Sequence, residues 1–202
     1  MHADPQKEEQ EMKQDIILCG VGGQGILSIA TVIAQAATAA GLHIKQAEVH
    51  GMSQRGGDVQ SHLRLSTDEI FSDLIPTGAA ELIISMEPME ALRYVPCLSA
   101  DGAVVSSEEN LVNIPDYPDP AAILSALHAL PHAVIAPIGS IAREAGNPKA
   151  SNMVLLGLAS RHISILPASA LREAIAVVFA AKGQDIIDAN LRAFDMGATR
   201  TL

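Results

Sequence analysis

The first sustained pattern along the chain is Ile16-Ile17-Leu18-Cys19, a run of apolar residues that ends at Gly20. A short unbroken apolar run predicts a strand covered on both faces, and so a sheet held between two layers. From Gln24 to Ala40, Ile26, Ile29, Ile33 and Ala37 recur at helical spacing, and Gly41 follows as a C-terminal cap. Strand, glycine turn and helix open an α/β unit. His43–Val49 predicts a second strand, and Val59, Ser61, Leu63 and Leu65 alternate with Gln60, His62 and Arg64 as in a strand buried on one side. The Gly51–Asp58 loop between them is too short for a helical crossover, which takes about a dozen residues. These two strands are therefore expected to run antiparallel, making the sheet mixed.

Further strands are expected at Glu81–Met86, Ala103–Ser107 and Ala133–Ala136, and helices at Met89–Leu98, Pro120–Leu130 and Ser140–Ala145. Ser151–His162, Ala168–Ala181 and Asp185–Phe194 predict three consecutive helices packed as a C-terminal layer. Residues 1–14 have no periodic apolar positions and are expected to be a disordered tail, leaving one domain over 15–202. A chain of 202 residues, 49% of them hydrophobic, can bury roughly 70% of its unfolded surface without a disulfide or metal staple.

Composition removes several function classes. With 13 Lys+Arg against 23 Asp+Glu the formal charge is −10, and there are only two Tyr, three Phe and no Trp. Phosphate neutralisation needs clustered cations and base stacking needs aromatics, so nucleic acid is not expected as a partner. Ile16 to Ile44 carries no Asp, Glu, Lys or Arg and is long enough to span a bilayer. Its glycines and its Ser28, Thr31, Gln35 and Thr38 instead predict strand, turn and buried helix, with no membrane contact. The polar Met1–Gln14 lacks the apolar core of a signal peptide, so a cytoplasmic location is expected. Two cysteines, Cys19 and Cys97, cannot supply four thiolates for an iron–sulfur cluster or a closed zinc site.

Two stretches carry candidate chemistry. Gly20-Val21-Gly22-Gly23-Gln24-Gly25 lies between strand and helix, where small residues let a phosphate approach the free N–H groups and the positive end of the helix dipole. Gly22, Gly23, Gln24 and Gly25 are the binding residues on this reading; on the plainer one they only make a tight turn. Glu48 stands where a dinucleotide fold places an acid for a ribose. The chain after it forms no crossover helix but runs His50-Gly51-Met52-Ser53-Gln54-Arg55-Gly56-Gly57-Asp58. This loop sets donors among glycines, and with Lys45, His62 and Arg64 it forms the one locally cationic part of the chain. His50, Ser53, Gln54, Arg55, Gly56 and Gly57 are its candidate binding residues, against the reading of a solvated hairpin. If the first two strands are parallel neighbours, both loops emerge on one sheet edge.

His50 and His62 lack a third ligand, which argues against a metal site. Glu87-Pro88 reads as a helix N-terminal acid or as a carboxylate facing a crevice, and Cys19 as an inert buried thiol. No catalytic residue is assigned.

The motifs Gly20–Gly25, Glu48–Gly57, Ser61-x-Leu63-Arg64 and Glu87-Pro88-Met89-Glu90-Ala91-Leu92-Arg93-Tyr94, extended by Asn152-Met153 and Leu156-Gly157, resemble the small gamma-type subunit of the 2-oxoacid:ferredoxin oxidoreductases. Within that family they are most similar to the branch acting on indolepyruvate. The resemblance covers nearly all of the chain after residue 14. It implies an α/β, three-layer Rossmann-like sandwich with a mixed, mostly parallel sheet and a helical C-terminal segment. It further implies an oxidative decarboxylation of 2-oxoacids to acyl-coenzyme A, with ferredoxin as acceptor, in an anaerobic metabolism of the pyruvate type. Thiamine diphosphate and iron–sulfur clusters would then reside on a large partner subunit, with coenzyme A as co-substrate and this chain inactive alone. In isolation the small subunit is expected to self-associate, as a homodimer for example. Two other readings stay open: a stand-alone nucleotide-binding protein using the glycine turn and Glu48, and a scaffold with no ligand.

Overall fold

The computed structural model describes residues 12–50 and 57–201. Its strands are β1 (Lys13–Val21), β2 (His43–His50), β3 (Asp58–Ser66), β4 (Ala80–Ser85), β5 (Leu98–Ser107) and β6 (Ala133–Ala136). They form one sheet in the order β2-β3-β1-β4-β5-β6. β3 pairs antiparallel with both β1 and β2, while β1, β4, β5 and β6 run parallel. The mixed, mostly parallel sheet and the antiparallel hairpin are as expected. The hairpin's placement is not: β1 and β2 are not neighbours, because β3 lies between them. Since β3 opposes both, β1 and β2 still point the same way, and their C-terminal ends share one sheet edge.

Burial explains the order. Ile16, Ile17, Leu18 and Cys19 are fully buried because β1 has strands on both sides and helices on both faces. The side chains of Ile16, Leu18, Leu82, Ile84 and Val105 pack on one face with α1 (Ile26–Ala39), α4 (Ile138–Glu144), α5 (Ser151–Ala159) and α6 (Ala168–Val178). Ile17, Cys19, Ile83 and Val104 pack on the other with α2 (Pro88–Tyr94) and α3 (Pro120–His128). α7 (Gln184–Thr199) covers the outer side of α5, which is why α5 is apolar all round. A Cβ on Gly157 would lie 2.1 Å from the Phe194 carbonyl oxygen, and one on Gly197 would lie 2.1 Å from that of Val154. The two helices therefore touch backbone to backbone.

Several boundaries differ from expectation. β1 starts at Lys13, ahead of Asp15, because Met12 and Thr67 exchange hydrogen bonds of 2.9 and 3.1 Å that extend its pairing with β3. α2 stops at Tyr94 instead of Leu98, with Pro96 inside a following 3-10 turn, and β5 begins at Leu98 instead of Ala103. α7 continues past Phe194 to Thr199, held by its contact with α5. Among the described residues no helix is long and apolar enough to cross a membrane.

Candidate functional site

The helices after β1 and β4 leave the sheet on opposite faces, so a crevice opens between the C-terminal ends of these adjacent parallel strands. Such a switch point is where open α/β sheets bind ligands. The glycine turn forms one wall. Gln24 folds back on it: its Oε1 accepts from the Val21 N–H at 2.7 Å and its Nε2 donates to the Met86 carbonyl at 3.3 Å, tying the end of β1 to the end of β4. Gly25 caps α1 in the left-handed region at φ 88, and its carbonyl accepts from Asn152 Nδ2 at 3.2 Å. A Cβ there would come within 2.6 Å of the same amide nitrogen. Gly23, at φ 98, has open space on its Cβ side and is exposed to solvent.

Beyond the turn, a cleft of about 410 Å³ is lined by Gly23, Gln24 and Met86 on one side and Gly139, Lys149 and Ser151 on the other. α1 and α5 both begin at this cleft, so it gathers two helix N-termini and the exposed ammonium of Lys149. Glu109 sits at the start of α4, where both carboxylate oxygens accept from the Gly139 N–H at 3.0 Å. Glu109 lines the same cleft, so the cleft holds one carboxylate and one ammonium beside the helix N-termini. Sequence reading missed Lys149, Asn152's contact and Glu109, since nothing local marks residues that reach the cleft from other helices.

The second motif meets the first through its last residue. The Gly22 N–H donates to the Gly57 carbonyl at 2.9 Å, which brings the end of the Gly51–Asp58 loop against the glycine turn. Ser53, Gln54, Arg55 and Gly56 lie outside the described residues, as does the side chain of His50.

Asp58 is held by Tyr94, whose hydroxyl lies 3.0 and 3.3 Å from the two carboxylate oxygens. Next to it Glu90, almost wholly buried, receives Arg93 Nε at 2.9 Å. Burial raises the Glu90 carboxyl above its ordinary pKa, the Arg93 hydrogen bond opposes this, and the Asp58 charge adds to the rise. Glu87 caps α2, accepting from the Glu90 N–H at 2.9 Å, from the Leu111 N–H at 3.3 Å and from the Tyr117 hydroxyl. It is fully buried, so the helix-cap reading holds and its carboxylate does not face the crevice openly.

Two expected associations, of Glu48 and of Arg64, differ in the structure. Glu48 is exposed on the edge strand β2, separated from the glycine turn by β3, so it does not hold a ribose beside that turn as in a dinucleotide fold. Arg64 does not join the loop's cationic group: its guanidinium forms a two-pronged pair with buried Asp15 at 2.7 and 3.1 Å, toward the opposite sheet end. His62 stands opposite Ala47 and His50 opposite Val59, so the two are not register partners. His62 Nδ1 accepts from the Ile75 N–H at 3.0 Å, and burial, then Arg64, lower its pKa. Cys19 is fully buried, and burial pushes its thiol far above the ordinary range.

Comparison with known proteins agrees with this architecture. A sequence profile of the family described as pyruvate ferredoxin/flavodoxin oxidoreductase matches residues 15–200. The indolepyruvate oxidoreductase subunit IorB of Archaeoglobus fulgidus is 34% identical over 199 residues, covering 95% of this chain and 96% of that protein. The fold is similar to pyruvate oxidoreductase subunit PORC from Thermotoga maritima, with a TM-score of 0.70, 23% identity, and 92% of this chain and 95% of that one covered. It is also similar to the 2-oxoglutarate:ferredoxin oxidoreductase from Magnetococcus marinus, solved with 2-oxoglutarate, coenzyme A and succinyl-CoA bound. Here the TM-score is 0.71 and the identity 22%, over 92% of this chain but only 30% of that one. Matched over nearly its whole length in sequence and in fold, the chain belongs to the pyruvate ferredoxin/flavodoxin oxidoreductase family.

Proposed function

We propose that the chain is the small, non-redox subunit of a cytoplasmic 2-oxoacid:ferredoxin oxidoreductase that acts on indolepyruvate and related arylpyruvates. The observation that carries this reading is the whole-length similarity to an indolepyruvate oxidoreductase subunit. The chain's own thiols do not fit a cluster, since one is buried and protonated and only two exist. Thiamine diphosphate and iron–sulfur clusters belong to a larger partner chain, where they supply decarboxylation and one-electron transfer to ferredoxin.

This chain's part is to bind and orient. The crevice fits a phosphate-bearing co-substrate such as coenzyme A: Gly23 leaves room for close approach, the α1 N-terminus offers N–H groups, and Lys149 supplies charge. Gly22, Gln24 and Gly25 hold this wall in shape. Gly57, bonded to Gly22, belongs to this wall as well, and His50, Ser53, Gln54, Arg55 and Gly56 are proposed from their sequence as further binding residues. Arg55 offers a two-pronged hydrogen bond to a phosphate or carboxylate that Lys cannot copy.

Steady-state kinetics of the reconstituted enzyme test this reading. Lys149→Ala raises the KM for coenzyme A at least fivefold while kcat is retained. Arg55→Lys lowers activity at least tenfold, about 1.4 kcal/mol of transition-state stabilisation. An unchanged KM in the first variant, together with full activity in Arg55→Ala, contradicts the site.

A further inference from the structure

Between β5 and α3 the chain runs from Glu108 to Asp119 without regular structure, yet it is fixed from below. The Glu108 N–H donates to the Ala136 carbonyl at 2.9 Å, and the Glu109 carboxylate is seated on the Gly139 N–H. The buried carboxylate of Glu87 then takes both the Leu111 N–H and the Tyr117 hydroxyl, which also lies 3.1 Å from Asn110 Oδ1. Above this base the loop turns aliphatic side chains outward: Val112 is 63% exposed, Ile114 44% and Leu111 39%. Rigid apolar residues held out to water resemble a binding hot spot formed before its partner arrives. The loop lies on the same sheet edge as the glycine-turn crevice.

We infer that this loop docks in an apolar socket, rimmed by Lys and Arg, on the larger chain of the oxidoreductase; the inference rests on the small-subunit reading above. Charge selects the occupant. Glu108, Glu109, Asp116 and Asp119 are exposed around the aliphatic residues, and segment 108–119 contains no Lys or Arg. A second copy of this chain, itself at −10, would bring the same acids against them, whereas a basic rim complements them. In the Magnetococcus marinus enzyme the matching unit spans only 30% of a longer chain, so further polypeptide accompanies this fold there.

The test is the affinity of this chain for the co-expressed larger subunit, measured by analytical ultracentrifugation and calorimetry. Val112→Asp weakens association at least 100-fold with its circular dichroism unchanged. Phe71→Asp, an 89% exposed apolar residue at the opposite sheet end, changes it less than threefold. Tyr117→Phe keeps the ring but loses the Glu87 tether; affinity falls at least fivefold and amide exchange at Leu111 speeds up. Higher salt weakens the wild-type complex. Wild-type affinity in Val112→Asp, equal losses in Val112→Asp and Phe71→Asp, or a homodimer that Val112→Asp dissolves would each overturn the docking assignment while leaving the subunit reading intact. No association by the wild type would overturn that reading and the assignment with it.

Discussion

The backbone N–H of Gly22 donates to the carbonyl oxygen of Gly57 across 2.9 Å, joining the glycine turn after β1 to the end of the second motif, which leads into the neighbouring strand β3. The bond exists because β3 runs antiparallel to β1, with Val21 opposite Asp58, so the hairpin delivers its second motif to the edge where the glycine turn ends. This wall of the crevice is thus a product of sheet order, and residues distant in sequence form one surface.

The turn's own geometry separates its glycines. Gly25→Ala forces a side chain into the left-handed region, at about 1–2 kcal/mol, and also drives a Cβ to 2.6 Å from Asn152 Nδ2. Gly23→Ala meets open space and carries the backbone cost alone. Thermal denaturation is expected to show the larger fall in Tm for Gly25→Ala; equal losses would mean that the Asn152 contact does not constrain the turn.

The Glu87 carboxylate accepts both from the first turn of α2 and from the 108–119 loop. Glu87→Ala leaves buried N–H groups and a hydroxyl without this partner and is expected to lower stability by on the order of 3 kcal/mol. Urea unfolding measures it, and a loss below about 1 kcal/mol would show that water replaces the carboxylate at little cost.

His62 links stability to pH. Its pKa is lowered in the folded protein, because burial and Arg64 disfavour the cation while the neutral Nδ1 accepts from Ile75. The unfolded chain therefore binds the proton more readily, and the His62 contribution is present above its ordinary value of 6.5 and lost as pH falls below it. Relative to His62→Gln, wild type should lose stability between neutral pH and pH 5. Parallel stability profiles for the two proteins would contradict the linkage.

Much of this fold is legible in the residues. The unbroken Ile16–Cys19 run marks a strand buried on both faces, the β6 boundaries follow from Ala133–Ala136, and the short Gly51–Asp58 connection makes β2 and β3 antiparallel. The place of β3 beside β1 is not legible, because alternation tells which face of a strand is buried but not which strand lies next to it. Helix ends fail for similar reasons. α7 reaches Thr199 because Gly197 lets it lie on α5, a contact that neither helix announces locally. In the site, Gly22–Gly25 and Gly57 are visible as motifs, whereas Lys149 reaches the crevice only through the packing of the C-terminal helices.

The decisive measurement is reconstitution: ferredoxin reduction driven by indolepyruvate and coenzyme A, assayed with this chain alone, the larger subunit alone, and both together. This chain alone is expected to be colourless and inactive, with full turnover requiring both chains. Turnover or an iron–sulfur spectrum from this chain alone would contradict it, and so would full activity of the larger subunit without it.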